Sequence, residues 1–167
     1  MYINIFVTNL GKYNEGFLIG EWVSLPCDDL QAVYKRIGIN EQYEEMFITD
    51  YESDLEIEIS EYTNIDELNK VAKTLSDLDE NAIDVINAYL YHGYDINKAI
   101  QEVDAGNYSY YPGCNDFSDL AYEMLEDGYF GDIPENIRFY IDLEKLGQTI
   151  ECEGTFYFSD AGCVEIF

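Results

Sequence analysis

Asn9-Leu10-Gly11-Lys12-Tyr13-Asn14-Glu15-Gly16-Phe17-Leu18-Ile19-Gly20-Glu21-Trp22 follows an apolar, β-branched run (Tyr2, Ile3, Ile5, Phe6, Val7) and leads into a second, Phe17 to Leu25. Gly11, Asn14 and Gly16 mark the joint as a turn or tight loop, so strands are expected at Ile3 to Thr8 and at Leu18 to Leu25. Beyond Pro26, Asp28 or Asp29 caps a helix on which Leu30, Val33, Tyr34 and Ile37 fall at helical spacing up to Gly38. Lys35 and Arg36 lie in its last turn, where positive charge suits the helix dipole. A third strand at Met46 to Tyr51 completes a small sheet.

The next stretch carries the most informative charge pattern. Between Glu41 and Asn69 there are 11 acidic residues (Glu41, Glu44, Glu45, Asp50, Glu52, Asp54, Glu56, Glu58, Glu61, Asp66, Glu67) and no Lys or Arg. Glu52, Asp54, Glu56 and Glu58 alternate with Ser53, Leu55, Ile57 and Ile59. In an extended chain the carboxylates share one face at about 6.7 Å spacing, with the apolar side chains on the other. Neighbours at that distance repel by roughly 0.6 kcal/mol in water before screening. A fold shaped by stability alone intersperses lysines.

Three short helices follow. Asn64 caps the first, with Glu67 three residues on and Ile65, Leu68, Val71, Ala72 and Leu75 as its stripe. Asp79 caps the second (Ile83, Val85, Ile86, Leu90), closed by Gly93, and Asp95 the third (Ile96, Ala99, Ile100, Val103), closed by Gly106. The final third starts with Tyr108, Tyr110, Tyr111 and Pro112, a strand or a surface loop. Asn115 or Asp116 then caps a helix holding Phe117, Leu120, Ala121, Met124 and Leu125, with Asp119, Glu123, Glu126 and Asp127 mainly outside. A short helix after Pro134 (Ile137, Phe139, Tyr140, Ile141) precedes strands at Thr149 to Glu153, Thr155 to Phe158 and Cys163 to Ile166, the last two joined by the turn Ser159-Asp160-Ala161-Gly162. The expected fold class is α+β: an elongated chain of three small domains, with an N-terminal α+β domain and antiparallel sheet (1–62), a central helical bundle (63–106) and a C-terminal α+β domain with antiparallel sheet (107–167).

Composition narrows the function. There are 35 Asp+Glu against 8 Lys+Arg, a formal net charge of -27 on 167 residues, yet 47% of residues are hydrophobic and 16 are Tyr, enough for ordered cores. Nucleic acid and anionic membrane surfaces are repelled, and basic partners attracted. At one charge per roughly 1.7 Å of duplex axis, the net charge equals that of roughly 13 to 14 base pairs, about 45 Å of DNA. From Ala99 to Phe167, 15 acidic residues face only Arg138 and Lys145, a net of -13, so the field is spread along the chain. Cys27, Cys114, Cys152 and Cys163 form no pairing motif, and no basic leader or roughly 18-residue apolar span is present, which reads as a cytoplasmic protein whose thiols are free, buried small hydrophobes.

Enzyme chemistry finds no support. His92 is the single histidine, without a partner at i+4, and there is no Cys-x-x-Cys, no Gly-x-Ser-x-Gly and no phosphate-binding glycine loop. Asp50-x-Glu52-x-Asp54 lacks the glycine of a calcium loop. No catalytic residue, metal or cofactor is expected.

Asn9-Leu10-Gly11-Lys12-Tyr13-Asn14-Glu15-Gly16 and Gly20-x-Trp22 resemble the opening of the ArdA-type antirestriction proteins. The likeness continues in Asp50-Tyr51-Glu52, Glu61-Tyr62-Thr63 and Ile65-x-Glu67-Leu68-Asn69, then in Ala121, Gly128, Gly131, Ile133-Pro134, Tyr140-Ile141-Asp142 and Gly147. Residues 70–113 carry no matching motif, and Gly147-Gln148-Thr149 stands where the family pattern has a charged Gly-Arg-Asp-like triplet, which puts one ion pair of that pattern in question. The resemblance implies a cytoplasmic, elongated and curved homodimer from a mobile genetic element, such as a conjugative transposon or plasmid, dimerised through its C-terminal domain. It implies an acidic mimic of bent B-form DNA that occupies the DNA-binding groove of type I restriction-modification enzymes, both methyltransferase core and nuclease complex. The residues expected to form the DNA-mimic surface are Glu41, Glu44, Glu45, Glu52, Asp54, Glu56, Glu58, Glu61, Asp119, Glu123, Glu126 and Asp127, and Tyr108, Tyr110 and Tyr111 suit a dimer contact because tyrosine favours interfaces. The competing readings are an acidic interaction domain for another basic protein, a halophilic domain, and an unrecognised hydrolase.

Overall fold

Ile3, Ile5 and Val7 are wholly buried while Asn4 and Phe6 between them are half-buried, the period of a strand with one face in a core. This is β1 (Ile3–Asn9) of a computed structural model that describes residues 2–167. A short helix, α1 (Leu10–Asn14), leads to β2 (Gly20–Leu25), α2 (Leu30–Arg36), β3 (Met46–Ser53) and α3 (Ile65–Ser76). β1 is the centre of an antiparallel sheet of order β2-β1-β3, with Phe6 opposite Trp22 and Ile3 opposite Leu25. Leu30, Val33, Tyr34 and Ile37 are buried, as their spacing predicts. On α3, Asn69 clasps the backbone of Cys27: its side chain accepts from the Cys27 N–H at 2.7 Å and donates to the Cys27 carbonyl at 2.9 Å.

α4 (Glu80–Tyr91), α5 (Ile96–Ala105), β4 (Tyr108–Pro112), α6 (Phe117–Glu126), α7 (Glu135–Arg138), α8 (Leu143–Glu153), β5 (Thr155–Phe158) and β6 (Gly162–Ile166) follow. Their sheet is antiparallel, order β4-β6-β5. Cys114, Leu120, Ala121, Met124, Ile150 and Cys163 form its core, where Phe117 meets Phe156 and Phe158 edge to face. The fold is therefore mixed α+β, with eight helices and six strands among the described residues. Its contacts divide it into two compact units, one ending at Ile83 and the other Asp84–Phe167. The division falls inside α4, so the helical segment 63–106 is shared between them.

Most caps stand where the sequence places them: Asp29, Asn64, Asp79, Asp95 and Asp116 each accept a hydrogen bond from a backbone N–H of the first helical turn. Three expectations are corrected. The joint after β1 is a helical turn, because the buried Asn9 side chain accepts from the Lys12 N–H at 2.9 Å and starts a helix. The second strand begins at Gly20 rather than Leu18, and Phe17, Leu18 and Ile19 are exposed. Thr149 to Glu153 is the end of α8, not a strand. Asp142 caps that helix, and Leu143, Leu146, Gly147 and Ile150 form its inner stripe. Gly147 allows α8 to close on α6, since a Cβ there would lie 2.6 Å from the Phe117 carbonyl oxygen.

Candidate functional site

Every one of the twelve acidic residues expected at the surface is exposed, and no Asp, Glu, Lys or Arg is buried among the described residues. The scaffold presents them in three ways.

Glu41, Glu44 and Glu45 sit on a loop that returns to α1, and they share a shallow groove of about 400 Å³ with Leu10, Gly11 and Asn14. Tyr43 anchors the loop. Its hydroxyl donates to Glu15 Oε1 at 2.7 Å and accepts from Lys12 Nζ at 2.7 Å, while Lys12 also pairs with Glu15 Oε2 at 2.8 Å. The Lys12 ammonium stands 4.1 Å from the centre of the Tyr43 ring. Hydrogen bonds from Lys12 and then Tyr43 hold the Glu15 carboxyl below its usual range, and those of Glu15 and Tyr43 raise Lys12. Gly11 is where the ring rests, because a Cβ would fall 2.4 Å from Tyr43 Cδ1. The Leu10 N–H donates to the Glu45 carbonyl, closing the loop from the other side.

From Asp54 to Glu61 the backbone is neither helix nor paired strand, yet exposure alternates as in a strand. Asp54, Glu56 and Glu58 are exposed, Leu55 and Ile59 are buried, and Ile57 lies between. Both ends are tied. The Tyr2 N–H donates to Asp54 Oδ1 at 2.9 Å, and the Ile48 N–H of β3 donates to the Glu61 carbonyl at 2.8 Å. The two buried side chains contribute about 1.5 to 3 kcal/mol each and force the intervening carboxylates outward. The extended segment expected from Glu52 to Glu58 is thus β3 as far as Ser53 and an irregular strap beyond it.

Asp119, Glu123 and Glu126 lie on α6, and Asp127 is its C-cap. Two of these carboxylates are engaged locally. Asp119 accepts from the Asn115 backbone at 2.9 Å and from its side chain at 3.2 Å, which holds its carboxyl below the ordinary range. Glu126 is paired with Arg138 at 2.6 Å.

Tyr110 and Tyr111 of β4 are bonded within the C-terminal unit. Tyr108, Tyr110 and Tyr111 are half-buried. Tyr110 donates to Asp84 at 3.2 Å, and Tyr111 packs against the core and donates to Glu165 at 3.3 Å. Burial, then the Glu165 charge, push the Tyr111 hydroxyl up to about 12. Exposed aromatic side chains of this unit include Tyr129, Phe139 and Tyr140, the last two 91% and 84% exposed; Phe139 is the C-cap of α7 and Tyr140 lies beyond it, rather than on the helix expected there. His92, at the end of α4, meets the Phe156 carbonyl at 2.9 Å. Cys114 and Cys163 are buried as expected, whereas Cys27 is half-buried and Cys152 exposed. Among the described residues no three His, Cys, Asp or Glu side chains are grouped to hold a metal ion, and no helix is long and apolar enough to cross a membrane.

Five of the eight cations (Lys12, Arg36, Lys98, Arg138, Lys145) are engaged in ion pairs with carboxylates. The remaining surface carries many more carboxylates than cations, beside exposed aromatic side chains. The model of the antirestriction protein family ArdA matches residues 5–165. The chain belongs to the ArdA family. It is an antirestriction protein, whose partners are restriction enzymes. No curated protein matches it. The ArdA opening motif now has a physical reading: Asn9 caps, Gly11 seats Tyr43, Lys12 and Glu15 hold its hydroxyl, and the acidic loop 41–45 is fixed as a result. That role was hidden in the sequence because Tyr43 lies 21 residues beyond Trp22, the last residue of the motif.

Proposed function

We propose that this ArdA chain opposes type I restriction-modification enzymes by standing in for bent B-form DNA in their DNA-binding groove, inhibiting restriction and modification competitively. One observation carries the reading: all twelve carboxylates named from sequence are exposed on a chain of net charge -27, in a fold that buries no charged group among the described residues. Carboxylates on a fixed scaffold replace phosphates, and their attraction to the groove's cations weakens with salt as that of DNA does. The protein acts stoichiometrically in the cytoplasm, with no catalytic turnover and no cofactor.

It acts as a homodimer. The exposed aromatic surface at Tyr129, Phe139 and Tyr140 is better suited to the C-terminal dimer contact than Tyr108, Tyr110 and Tyr111, whose rings are half-buried. Sedimentation of the double variant Phe139→Ser, Tyr140→Ser checks this, with a shift to monomer expected and an unchanged dimer counting against it.

The deciding experiment is competition: a type I methyltransferase bound to labelled target DNA, titrated with this protein at two salt concentrations. Displacement near stoichiometry that weakens steeply with salt supports the mimic. An active methyltransferase left bound to its DNA at micromolar protein excludes it for that enzyme and favours another basic protein partner.

A further inference from the structure

The outward face of the N-terminal sheet carries a surface that phosphate mimicry does not require. Phe6 of β1 stands opposite Trp22 of β2, ring centres 5.4 Å apart and edge to face. Gly20 makes room for the Phe6 ring: a Cβ there would lie 2.7 Å from its Cε1 and 2.6 Å from the Val7 carbonyl oxygen. Tyr13 of α1 meets Phe47 of β3 edge to face at 5.3 Å. These rings and Leu18 line a groove of about 490 Å³ whose remaining walls are Thr49, Asp50 and Glu61. Trp22 is 47% exposed and Leu18 67%. The Gly20-x-Trp22 word thus builds an apolar floor in the most acidic part of the chain. A neutral floor adds nothing to the charge field, and exposed apolar surface on a soluble fold marks a contact site.

The walls say what fits. Asp50 and Glu61 exclude an anionic occupant, and a second copy would bring the same negative rim against this one. A guanidinium satisfies both features at once, because it pairs with carboxylates and stacks on an indole while its stem stays apolar. We propose that this groove receives an arginine-bearing, partly apolar segment of the restriction enzyme's DNA-binding surface, with the arginine against Trp22 and between Asp50 and Glu61. This deepens the reading above and rests on it for the identity of the partner: the carboxylates supply the salt-dependent attraction and the groove a salt-independent anchor.

Trp22 is the single tryptophan, so its emission reports on the groove directly. Affinity for a type I methyltransferase is measured by displacement of labelled DNA over a range of salt, for the wild type, Leu18→Ser and Trp22→Ala. Leu18→Ser alters no charge and replaces an exposed side chain, so it tests the groove even if Trp22→Ala folds poorly. The expected result is about tenfold weaker binding at every salt concentration with the slope against log salt unchanged. Binding of Leu18→Ser within twofold of wild type overturns the proposal, as does a change in sedimentation in place of a change in affinity. Should the wild type displace no DNA, the mimic fails, and the groove is judged separately by titrating a peptide of alternating Arg and Leu. A saturable change in Trp22 emission, weakened by Leu18→Ser and absent with alternating Glu and Leu, supports it; no change overturns it.

Discussion

Between Asp54 and Glu61 four carboxylates stand on an irregular strap, whereas Asp119, Glu123, Glu126 and Asp127 stand on or at the end of a regular helix. The numbers are equal, but one helix carboxylate is paired with an arginine, whereas the strap lies in a run that contains no Lys or Arg. The strap lies within a run, 41–69, that contains no basic residue, and its carboxylates are kept outward by the burial of Leu55 and Ile59. On the helix, Glu126 is answered by Arg138, while Asp119 accepts a backbone N–H from Asn115 as Asp54 on the strap accepts one from Tyr2. Charge counted along a sequence therefore overstates what the second region offers to a basic partner.

Neutralising each set tests that difference where the effect is largest. If every carboxylate stands for one phosphate, Asp54→Asn with Glu56→Gln, Glu58→Gln and Glu61→Gln lowers the slope of log affinity against log salt by roughly 3.6. Asp119→Asn with Glu123→Gln, Glu126→Gln and Asp127→Asn lowers it by only roughly 2.7, because Arg138 already answers Glu126. Arg138→Gln frees Glu126 and raises it by roughly 0.9. Displacement of DNA from the methyltransferase reads all three, and equal slopes for the strap and helix sets would erase the distinction drawn here.

The two scaffolds also break differently. Leu55 is buried in a segment without a hydrogen-bonded ladder, so its side chain does the work that pairing does elsewhere. Leu55→Ala is expected to cost about 2 to 5 kcal/mol. Its binding loss should resemble that of the strap charge variant, because carboxylates no longer held outward are lost to the partner. Gly147→Ala forces α8 off α6 and is expected to cost about 1 to 3 kcal/mol. Urea unfolding measures both. A Leu55→Ala protein that binds like wild type would show that the strap's order is irrelevant.

Much of this was legible before the structure. Asn64, Asp79, Asp95 and Asp116 announce their helices through caps that act over three residues, and the alternation at 52–59 announces which side chains face out. What escaped depended on distant partners. The strap keeps a strand's alternation without joining the sheet, because burial of every second residue needs only a flat apolar surface beneath it. α8 was missed because Thr149 to Glu153 alternates briefly, while its helical stripe begins earlier, at Leu143. Gly11, Gly20 and Gly147 look like turn residues or pattern matches in sequence, yet each is a point of close approach to Tyr43, Phe6 or Phe117. The apolar groove has no sequence signal beyond Gly20-x-Trp22, since its walls come from β1, β2, β3, α1 and the chain beside them.

The smallest effect separates the two units by pH. In the first, burial, then the charges of Asp66 and Cys27, push the Tyr34 hydroxyl up to about 12. In the second, Tyr111 is pushed up to about 12, and burial carries the Cys163 thiol from 9.0 to about 12. All three are neutral in the folded state at a pH where the unfolded chain ionises. The stability they contribute is complete below the unfolded values and is lost as pH rises through the folded ones. The first unit should therefore weaken from about pH 10 and the second already from about pH 9, where the thiol of an unfolded chain ionises. Trp22 fluorescence follows the first unit, and amide exchange in α6 and β6 the second. Tyr34→Phe sharpens the contrast, because that buried hydroxyl finds no hydrogen-bond partner among the described residues. Its removal should stabilise the first unit by about 1 kcal/mol and delay the alkaline change at Trp22, leaving the second unit's profile untouched. A Trp22 transition that sets in below pH 9, or one that Tyr34→Phe does not move, would mean that Tyr34 does not govern the alkaline limit of its unit.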